Sequence, residues 1–159
     1  MEKEKEFEDA VAKYAGLINK ICYYFSMNQE EFQDLRQETL CNIWRGWQQF
    51  DNRSKLSTWI YRICFNTCVS FQRKESRNKN KVPIESILEI PAVPSSLALE
   101  NYREMHRLIS RLGYEDRAMI LMWLDEKSYD EIAALIGIKR NTVATRLKRI
   151  KEKLVSMSR

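Results

Sequence analysis

Apolar residues recur along this chain at spacings of three and four, the period of an amphipathic helix. Over residues 7–26 the pattern predicts a first helix, and its apolar positions are Phe7, Val11, Tyr14, Leu17, Ile18, Ile21 and Phe25. A second helix is predicted to about Phe50, after the sequence Asn28–Glu31, which resembles a capping box. A third is predicted from about Lys55 to Arg77, with an inner stripe of Ile60, Ile63, Cys64, Thr67 and Phe71.

The periodicity stops over residues 78–95. All three prolines of the chain, Pro83, Pro91 and Pro94, fall within this stretch. Clustered prolines without a sustained period are typical of an extended linker. We therefore predict an all-α protein with two small helical domains, residues 1–77 and 96–159, joined by a flexible linker over 78–95.

The second domain contains a helix-turn-helix pattern. One helix is predicted up to Gly113, and a short one over 118–124. Ser128–Glu131 is a second capping box, which opens a helix through Ile136. Gly137 then supplies a tight turn before a long basic helix. Two helices joined by a short turn with glycine form the helix-turn-helix motif of many DNA-binding proteins.

Composition narrows the classes of function. The chain has 159 residues, 27 of them Lys or Arg and 22 Asp or Glu. Only four glycines, far apart, exclude a glycine-rich phosphate loop, and the single histidine, His106, makes a histidine-based catalytic triad or a multi-histidine metal site implausible. No signal peptide or membrane-spanning run is visible. We therefore expect a cytoplasmic, non-enzymatic protein with no membrane insertion and no cofactor.

Charge is distributed unevenly. Residues 1–38 have a net charge of −4, whereas residues 53–81 and 139–159 each have a net charge of +7. Two basic segments of equal strength predict two contacts with a polyanion. The acidic segment 1–38 indicates a surface for something other than the polyanion.

The four cysteines, Cys22, Cys41, Cys64 and Cys68, lie within apolar periodic segments. Cys64 and Cys68 are four residues apart, so both could point at one metal ion. No second close pair accompanies them, and we therefore interpret the cysteines as reduced, mostly buried thiols rather than metal ligands.

The last helix has a face suited to the major groove. If Val143, Leu147 and Ile150 point inward, the outward residues are Arg140, Asn141, Ala144, Thr145 and Lys148. Amide, hydroxyl and cationic groups are those that read base edges, and the flanking cations Arg146, Arg149, Lys151 and Lys153 suit phosphates. The alternative to a DNA-binding surface is that this is the solvated basic face of an ordinary helical hairpin.

The third helix presents a different combination. Trp59, Arg62, Asn66 and Arg73 fall on one side, opposite the inner stripe. Aromatic, amide and guanidinium groups on one face suit unstacked bases and single-stranded backbone. Periodicity alone also allows Trp59 to be a core aromatic residue.

Four stretches of the chain resemble a known family. Asp34-Leu35-Arg36-Gln37-Glu38-Thr39, followed by Trp44-Arg45 and Phe50, closely resembles the polymerase-binding signature of sigma factors. Ser57-Thr58-Trp59-Ile60-Tyr61-Arg62-Ile63 resembles the S-T-W-L-Y-R-I pattern of their extracytoplasmic-function (ECF) group. Leu112–Arg117 and Ser128–Leu147 resemble the opening and the helix-turn-helix of the fourth conserved region. The motifs stand in the family's order and spacing over nearly the whole chain.

The resemblance implies a sigma factor of the sigma-70 family that binds core RNA polymerase, directs it to promoters and helps to open the DNA. It implies contacts with the β′ clamp helices and the β flap of the polymerase, and most members of the group are held inactive by an anti-sigma factor. The residues it assigns to polymerase binding are Asp34, Leu35, Gln37, Glu38 and Trp44. Those it assigns to the −10 element and DNA melting are Asp51, Asn52, Arg53, Ser54, Lys55, Trp59, Arg62, Asn66 and Arg73. Those it assigns to the −35 element are Arg140, Asn141, Thr142, Ala144, Thr145, Arg146, Lys148 and Arg149.

The chain departs from the family pattern in three places. Gly113 stands where proline is usual, and Lys139-Arg140-Asn141 replaces a frequent Pro-x-Gly. Ala144 occupies a recognition position that is often basic, so Arg140 or Lys148 is the alternative reader. A stand-alone helix-turn-helix regulator is the competing class of function, but such a regulator has no use for the Asp34–Glu38 and Trp59–Asn66 segments.

Overall fold

The computed structural model describes residues 2–53, 55–76 and 96–158. These residues form eight helices and no strand, which confirms the all-α prediction. The helices are α1 (Glu2–Lys13), α2 (Ala15–Tyr24), α3 (Gln29–Trp47), α4 (Leu56–Ser76), α5 (Ser96–Ser110), α6 (Tyr114–Leu124), α7 (Tyr129–Ile136) and α8 (Arg140–Ser158). The chain divides into two compact units on either side of the junction between Glu89 and Ile90. The predicted linker, 78–95, lies outside the described residues, as does Ser54.

The first predicted helix is two helices. It begins at Glu2 rather than Phe7, and it is interrupted at Tyr14, whose φ of −104° and ψ of 15° depart from helical values. The hydrogen-bond ladder continues through the break, because the Tyr14 N–H donates to the Ala10 carbonyl at 3.0 Å. Gly16, a poor helix former, follows at once. Periodicity missed this break because the apolar spacing continues across it.

The core of the first unit lies among α2, α3 and α4. Its fully buried side chains include Ile18 and Ile21 of α2, Leu35 and Ile43 of α3, and Ile60 of α4. The inner stripe predicted for α4 is confirmed: Ile60, Cys64 and Thr67 are buried, and Ile63 and Phe71 are half-buried. The amide of Gln72 donates to the Phe25 carbonyl and so fixes the end of α4 against the end of α2.

The start of α3 differs slightly from a capping box. The Asn28 side chain accepts a hydrogen bond from the Glu31 N–H at 2.8 Å, as predicted. The Glu31 carboxylate accepts from the Met27 N–H at 2.9 Å instead of from Asn28. The reciprocal bond is therefore displaced by one residue, but two backbone donors at the helix start are still satisfied.

Three cysteines are part of this core. Cys22, Cys64 and Cys68 are buried, Cys41 is exposed, and none of the four forms a disulfide. Burial raises the pKa of the Cys64 thiol well above its usual value. A side-chain hydrogen bond with Cys68 is the main cause that lowers the pKa of Cys22, and the Cys22 sulfur also lies 3.8 Å from the Thr39 hydroxyl. Across residues 2–53, 55–76 and 96–158, no group of three or more His, Cys, Asp or Glu side chains is arranged to hold a metal ion.

The second unit contains the predicted helix-turn-helix. The capping box at the start of α7 is complete, because the Ser128 side chain accepts from the Glu131 N–H at 3.1 Å and the Glu131 carboxylate accepts from the Ser128 N–H at 3.2 Å. Gly137 forms the predicted turn in the left-handed conformation, with φ 84°, and its N–H and that of Ile138 both donate to the Ala133 carbonyl. Val143, Leu147 and Ile150 of α8 are buried as predicted.

Helix α6 begins at Tyr114, four residues before its apolar pattern. Arg117 lies in this additional first turn of α6. This guanidinium is buried, and it donates to the carbonyls of Ser110 and Leu112 at 2.8 and 3.0 Å. Arg117 thus connects the end of α5 to the start of α6 through backbone groups that a helix end leaves unpaired. Of the helices in the described part of the chain, none combines the length and the apolar character needed to cross a membrane.

Candidate functional site

One stripe of α3 faces outward. Asp34, Gln37, Glu38, Cys41 and Arg45 all lie at the surface. Leu35 does not belong to this surface: it is 0% exposed, because its side chain points from the opposite side of the helix into the core. Its assignment to polymerase binding stays a prediction, and in this conformation its contribution to the surface is limited to holding α3 in place.

Trp44 is supported by a residue that the sequence analysis treated only as an apolar position. The Phe7 ring of α1 packs edge-on to Trp44, with 5.0 Å between ring centroids, and it also lies 5.9 Å from Trp47. Trp44 remains 36% exposed. An open groove of about 540 Å³ lies here, and Phe7, Gln37, Cys41 and Trp44 are among its lining residues. Helix α1 therefore contributes to the same surface as the α3 stripe.

A second groove, of about 460 Å³, runs between α3 and α4. Asp34, Glu38 and Asn42 line it from α3, and Asn66 and Lys74 are among the residues that line it from α4. The Asn42 amide donates to the Thr67 hydroxyl at 2.9 Å, which ties the two helices together across the groove floor. The groove brings together residues that the sequence assigned to two different partners, the polymerase and the −10 element.

Trp59 lies in an aromatic cluster. Its ring centroid is 4.8 Å from that of Phe50 and 6.0 Å from that of Trp47. A Cβ added at Gly46 would lie only 3.0 Å from Cζ2 of Trp59, so this glycine leaves the space that the ring occupies. Trp59 is half-buried, whereas Arg62, Asn66 and Arg73 are exposed. The predicted outer face of α4 therefore consists of three exposed polar residues beside one aromatic wall.

The break between α3 and α4 holds a local ion pair. Nε of Arg53 lies 2.8 Å from the Asp51 carboxylate, and the Arg53 side chain is 90% exposed. Asn52 has a positive φ of 62°, which asparagine tolerates better than most residues. A groove of about 500 Å³ adjoins the break, and Phe50, Asn52 and Leu56 line it together with Lys3 and Lys13 of α1. These two lysines belong to no sequence motif. The helical period indicates only that they lie on a solvated face, so the sequence gives no functional signal for them.

On α8 most of the predicted DNA-facing residues are exposed. Arg140, Asn141, Thr142, Thr145, Lys148 and Arg149 lie at the surface, and Ala144 is half-buried. Arg140, the first residue of the helix, is held by two residues of α7. Its Nε lies 3.3 Å from the Asp130 carboxylate, and its Cζ lies 5.9 Å from the centroid of the Tyr129 ring.

Arg146 is engaged within the domain. Its Nη2 donates to the Asp116 carboxylate at 2.9 Å and lies 3.5 Å from that of Glu115, and its side chain is only 24% exposed. Both carboxylates belong to the first turn of α6. In this conformation Arg146 belongs to the α6–α8 contact, and its assignment to DNA stays a prediction. Lys151 is likewise held on the α6 side, because its Nζ lies 3.8 Å from the centroid of the Trp123 ring.

Two known protein families each match a segment in one of the two units of this chain. The family described as Sigma-70 region 2 matches residues 10–78, which contain α2, α3 and α4. The family described as Sigma-70, region 4 matches residues 102–154, which contain the helix-turn-helix. The chain belongs to the sigma-70 family of RNA polymerase sigma factors.

Individual relatives of this sigma factor belong to the ECF group. It is 29% identical to the ECF RNA polymerase sigma factor SigW of Bacillus subtilis, over 93% of this chain and 86% of SigW. It is 25% identical to the ECF RNA polymerase sigma factor SigE of Mycolicibacterium smegmatis, over 93% of this chain and 60% of SigE. Its fold resembles that of the sigma factor RpoE of Bartonella quintana, solved in complex with the anti-sigma factor NepR. That match has a TM-score of 0.75 and 26% identity, over 94% of each chain.

The protein is thus an ECF sigma factor. Sigma factors are initiation factors, not enzymes: they bind core RNA polymerase and direct it to promoter DNA. The fold and the function expected from the sequence are confirmed at this level. The exposed stripe of α3, the exposed face of α4 and the outward face of α8 are the candidate surfaces for these partners.

Proposed function

We propose that this sigma factor divides its work among three helices. In this proposal α3 docks on the β′ clamp helices of core polymerase, α4 captures the melted −10 strand, and α8 reads the −35 element as duplex DNA. The corresponding domains are residues 1–77 and 96–159, with 78–95 as the linker between them. The observation that carries the proposal is the shared α3–α4 groove, where exposed carboxylates of α3 face exposed amide and cationic groups of α4.

The polymerase surface combines charge with an aromatic anchor. Asp34, Gln37 and Glu38 are exposed on one side of α3, and Trp44 follows on the same helix, backed by Phe7. Tryptophan residues that are partly exposed but rigidly supported are typical of residues that dominate the binding energy of an interface. The carboxylates of Asp34 and Glu38 would fix the orientation of the partner and speed its association.

The −10 surface is suited to a single strand. Arg62 and Arg73 supply exposed cations along α4, and Asn66 supplies an amide that can bond to the edge of an unpaired base. The break at Asp51–Lys55 and the groove beside Phe50 are the proposed place for a flipped base. Capturing flipped bases stabilises melted DNA, so base recognition and strand opening become one equilibrium. Trp59 forms the aromatic wall at the edge of this surface.

The helix-turn-helix is suited to a duplex. Asn141, Thr142, Thr145 and Lys148 are exposed on α8, where side chains of a recognition helix reach base edges. Arg149 is exposed beside them and suits a phosphate. Arg146 is not part of this surface, because its guanidinium is already bonded to Asp116.

The proposal extends to partners and location. Since core polymerase and chromosomal DNA lie in the bacterial cytoplasm, this protein is placed there too. A contact between the second unit and the β flap follows from the resemblance to the family. An anti-sigma factor is also proposed, because the similar RpoE of Bartonella quintana was solved bound to the anti-sigma factor NepR.

The division of labour can be tested with three single variants of the full chain. Asp34→Ala should weaken binding to core polymerase, measured without DNA, by about tenfold. Arg62→Ala should leave that affinity unchanged but weaken binding of the holoenzyme to a forked −10 template. Arg149→Ala should weaken binding of the holoenzyme only to templates that contain the −35 duplex. If all three variants impaired the same step, the assignment of separate surfaces would be wrong.

A further inference from the structure

The first residue of the recognition helix is braced from the helix before it. Arg140 begins α8, and both residues that hold its guanidinium, Tyr129 and Asp130, begin α7. Nε of Arg140 lies 3.3 Å from Oδ1 of Asp130, and Cζ lies 5.9 Å from the centroid of the Tyr129 ring. One nitrogen of the guanidinium is therefore paired with a carboxylate at the surface, and the group lies beside an aromatic ring.

The remaining part of the guanidinium is available to a ligand. Within the described part of the chain, its two terminal nitrogens make no hydrogen bond, and the Arg140 side chain is 64% exposed. These nitrogens form the planar fork that donates two parallel hydrogen bonds. In the major groove the matching pair of acceptors is O6 and N7 of guanine, the commonest specific arginine contact.

The position of Arg140 on the helix also fits this role. N-terminal residues of a recognition helix contact base edges in helix-turn-helix proteins. The outward residue one turn further along, Ala144, has no polar group and cannot hydrogen-bond to a base through its side chain. Arg140 is therefore the cation best placed to read a base pair from this end of the helix.

We propose that Asp130 and Tyr129 are positioning residues that hold Arg140 as a guanine reader in the −35 element. The inference rests on the proposed role of α8 as the duplex-reading helix. Holding Nε on a carboxylate fixes the plane of the fork before DNA arrives, so less side-chain entropy is lost when the two bonds to guanine form. Pairing also neutralises a carboxylate that would otherwise repel the phosphates of the bound duplex.

A different role for Asp130 predicts a different result. An acidic residue in the first turn of α7 stabilises the positive end of the helix whether or not it contacts Arg140. If that were its whole role, removing its charge would alter affinity equally for every sequence. If it merely competed with DNA for Arg140, removing its charge would raise the preference for guanine. Positioning, by contrast, predicts that removing the charge lowers this preference.

The test uses holoenzyme reconstituted from core polymerase and the full chain, and selects promoters from a library randomised upstream of a fixed −10 element. We expect the wild-type protein to enrich guanine at one upstream base pair by about tenfold. Arg140→Lys keeps the charge but removes the fork, and it should abolish this enrichment. Asp130→Asn should reduce it to about threefold and leave the other selected positions unchanged. Asp130→Glu keeps a carboxylate at this position and should retain most of the guanine enrichment.

Glu152→Gln is the matched control, because it removes an exposed negative charge from α8 without touching Arg140. It should change affinity slightly and leave the guanine preference intact. Upstream enrichment that is identical in the wild type, Arg140→Lys and Asp130→Asn would overturn the positioning role and leave the duplex-reading role of α8 standing. Absence of any upstream enrichment in the wild type would overturn the proposed role of α8 and this inference with it.

Discussion

Arg146 of the recognition helix donates to Asp116 at the start of α6, thirty residues earlier in the chain, across 2.9 Å. The Arg146 side chain is 24% exposed and that of Asp116 35%. The bond joins α8, the proposed DNA-reading helix, to the first turn of α6. In that proposal Arg146 affects promoter binding through the position of α8.

We predict that Arg146→Ala destabilises the second unit by about 1–2 kcal/mol, because it removes a partly buried, charge-assisted hydrogen bond. Urea denaturation of the full chain measures this. Arg149→Ala is the matched control: it should leave the unfolding midpoint unchanged and reduce the salt dependence of DNA binding by about one counterion. A stability loss that is equal in the two variants would contradict the distinction between them.

A second prediction concerns the support of Trp44. Phe7→Ala removes the ring that packs edge-on to Trp44, so the tryptophan loses its fixed orientation and core polymerase should bind several-fold more weakly. Trp44→Ala should have a larger effect on the same affinity. Trp123→Ala, an equally exposed tryptophan in the second unit, is the control and should not alter binding of core polymerase through α3. Phe7→Ala with unchanged polymerase affinity would show that α1 has no part in this surface.

A third prediction compares two glycines. Gly46→Ala places a methyl group 3.0 Å from Cζ2 of Trp59, and the ring must shift to accommodate it. We expect slower strand opening, measured by the reactivity of unpaired thymines to permanganate, with polymerase affinity retained. Gly16→Ala meets nothing within 4 Å and lies within α2, so it should raise the stability of the first unit by up to about 1 kcal/mol without affecting opening. Normal opening by Gly46→Ala would contradict the role of Trp59.

A fourth prediction concerns the thiols. Cys41 is exposed, whereas Cys22, Cys64 and Cys68 are buried, and burial keeps the pKa of Cys64 raised so that it remains a protonated, weakly nucleophilic thiol at pH 8. Alkylation of the native protein at pH 8 should therefore modify Cys41 alone, and Cys41→Ser should abolish the rapid reaction. In denaturant all four cysteines should react. Rapid labelling of Cys64 in the native protein would contradict its burial.

Local patterns predicted the helix-turn-helix well, because its determinants lie close together in the sequence. Ser128 and Glu131 are three residues apart, and Gly137 imposes its turn by its own conformation. The residues that share the exposed stripe of α3 also follow from the sequence, since one helical period determines which residues share a face.

The remaining features depend on contacts between elements that are distant in the sequence. Arg146 has the sequence context of a DNA-binding residue, and only the folded chain brings it to Asp116. Phe7 becomes part of the Trp44 surface only because α1 packs against α3. Leu35 lies within a motif of contact residues, yet the packing of α3 buries it completely. Motif resemblance assigns a segment to a function, and packing decides which of its side chains can reach a partner.

Promoter-directed transcription with purified components tests the central claim most directly. Core polymerase and the full chain, given DNA that carries promoters selected by the reconstituted holoenzyme, should produce run-off transcripts with a single start at each promoter. The chain alone should bind the same DNA weakly and without opening it. Tight, sequence-specific binding in the absence of polymerase, together with no transcript in its presence, would contradict the account and favour a stand-alone helix-turn-helix regulator.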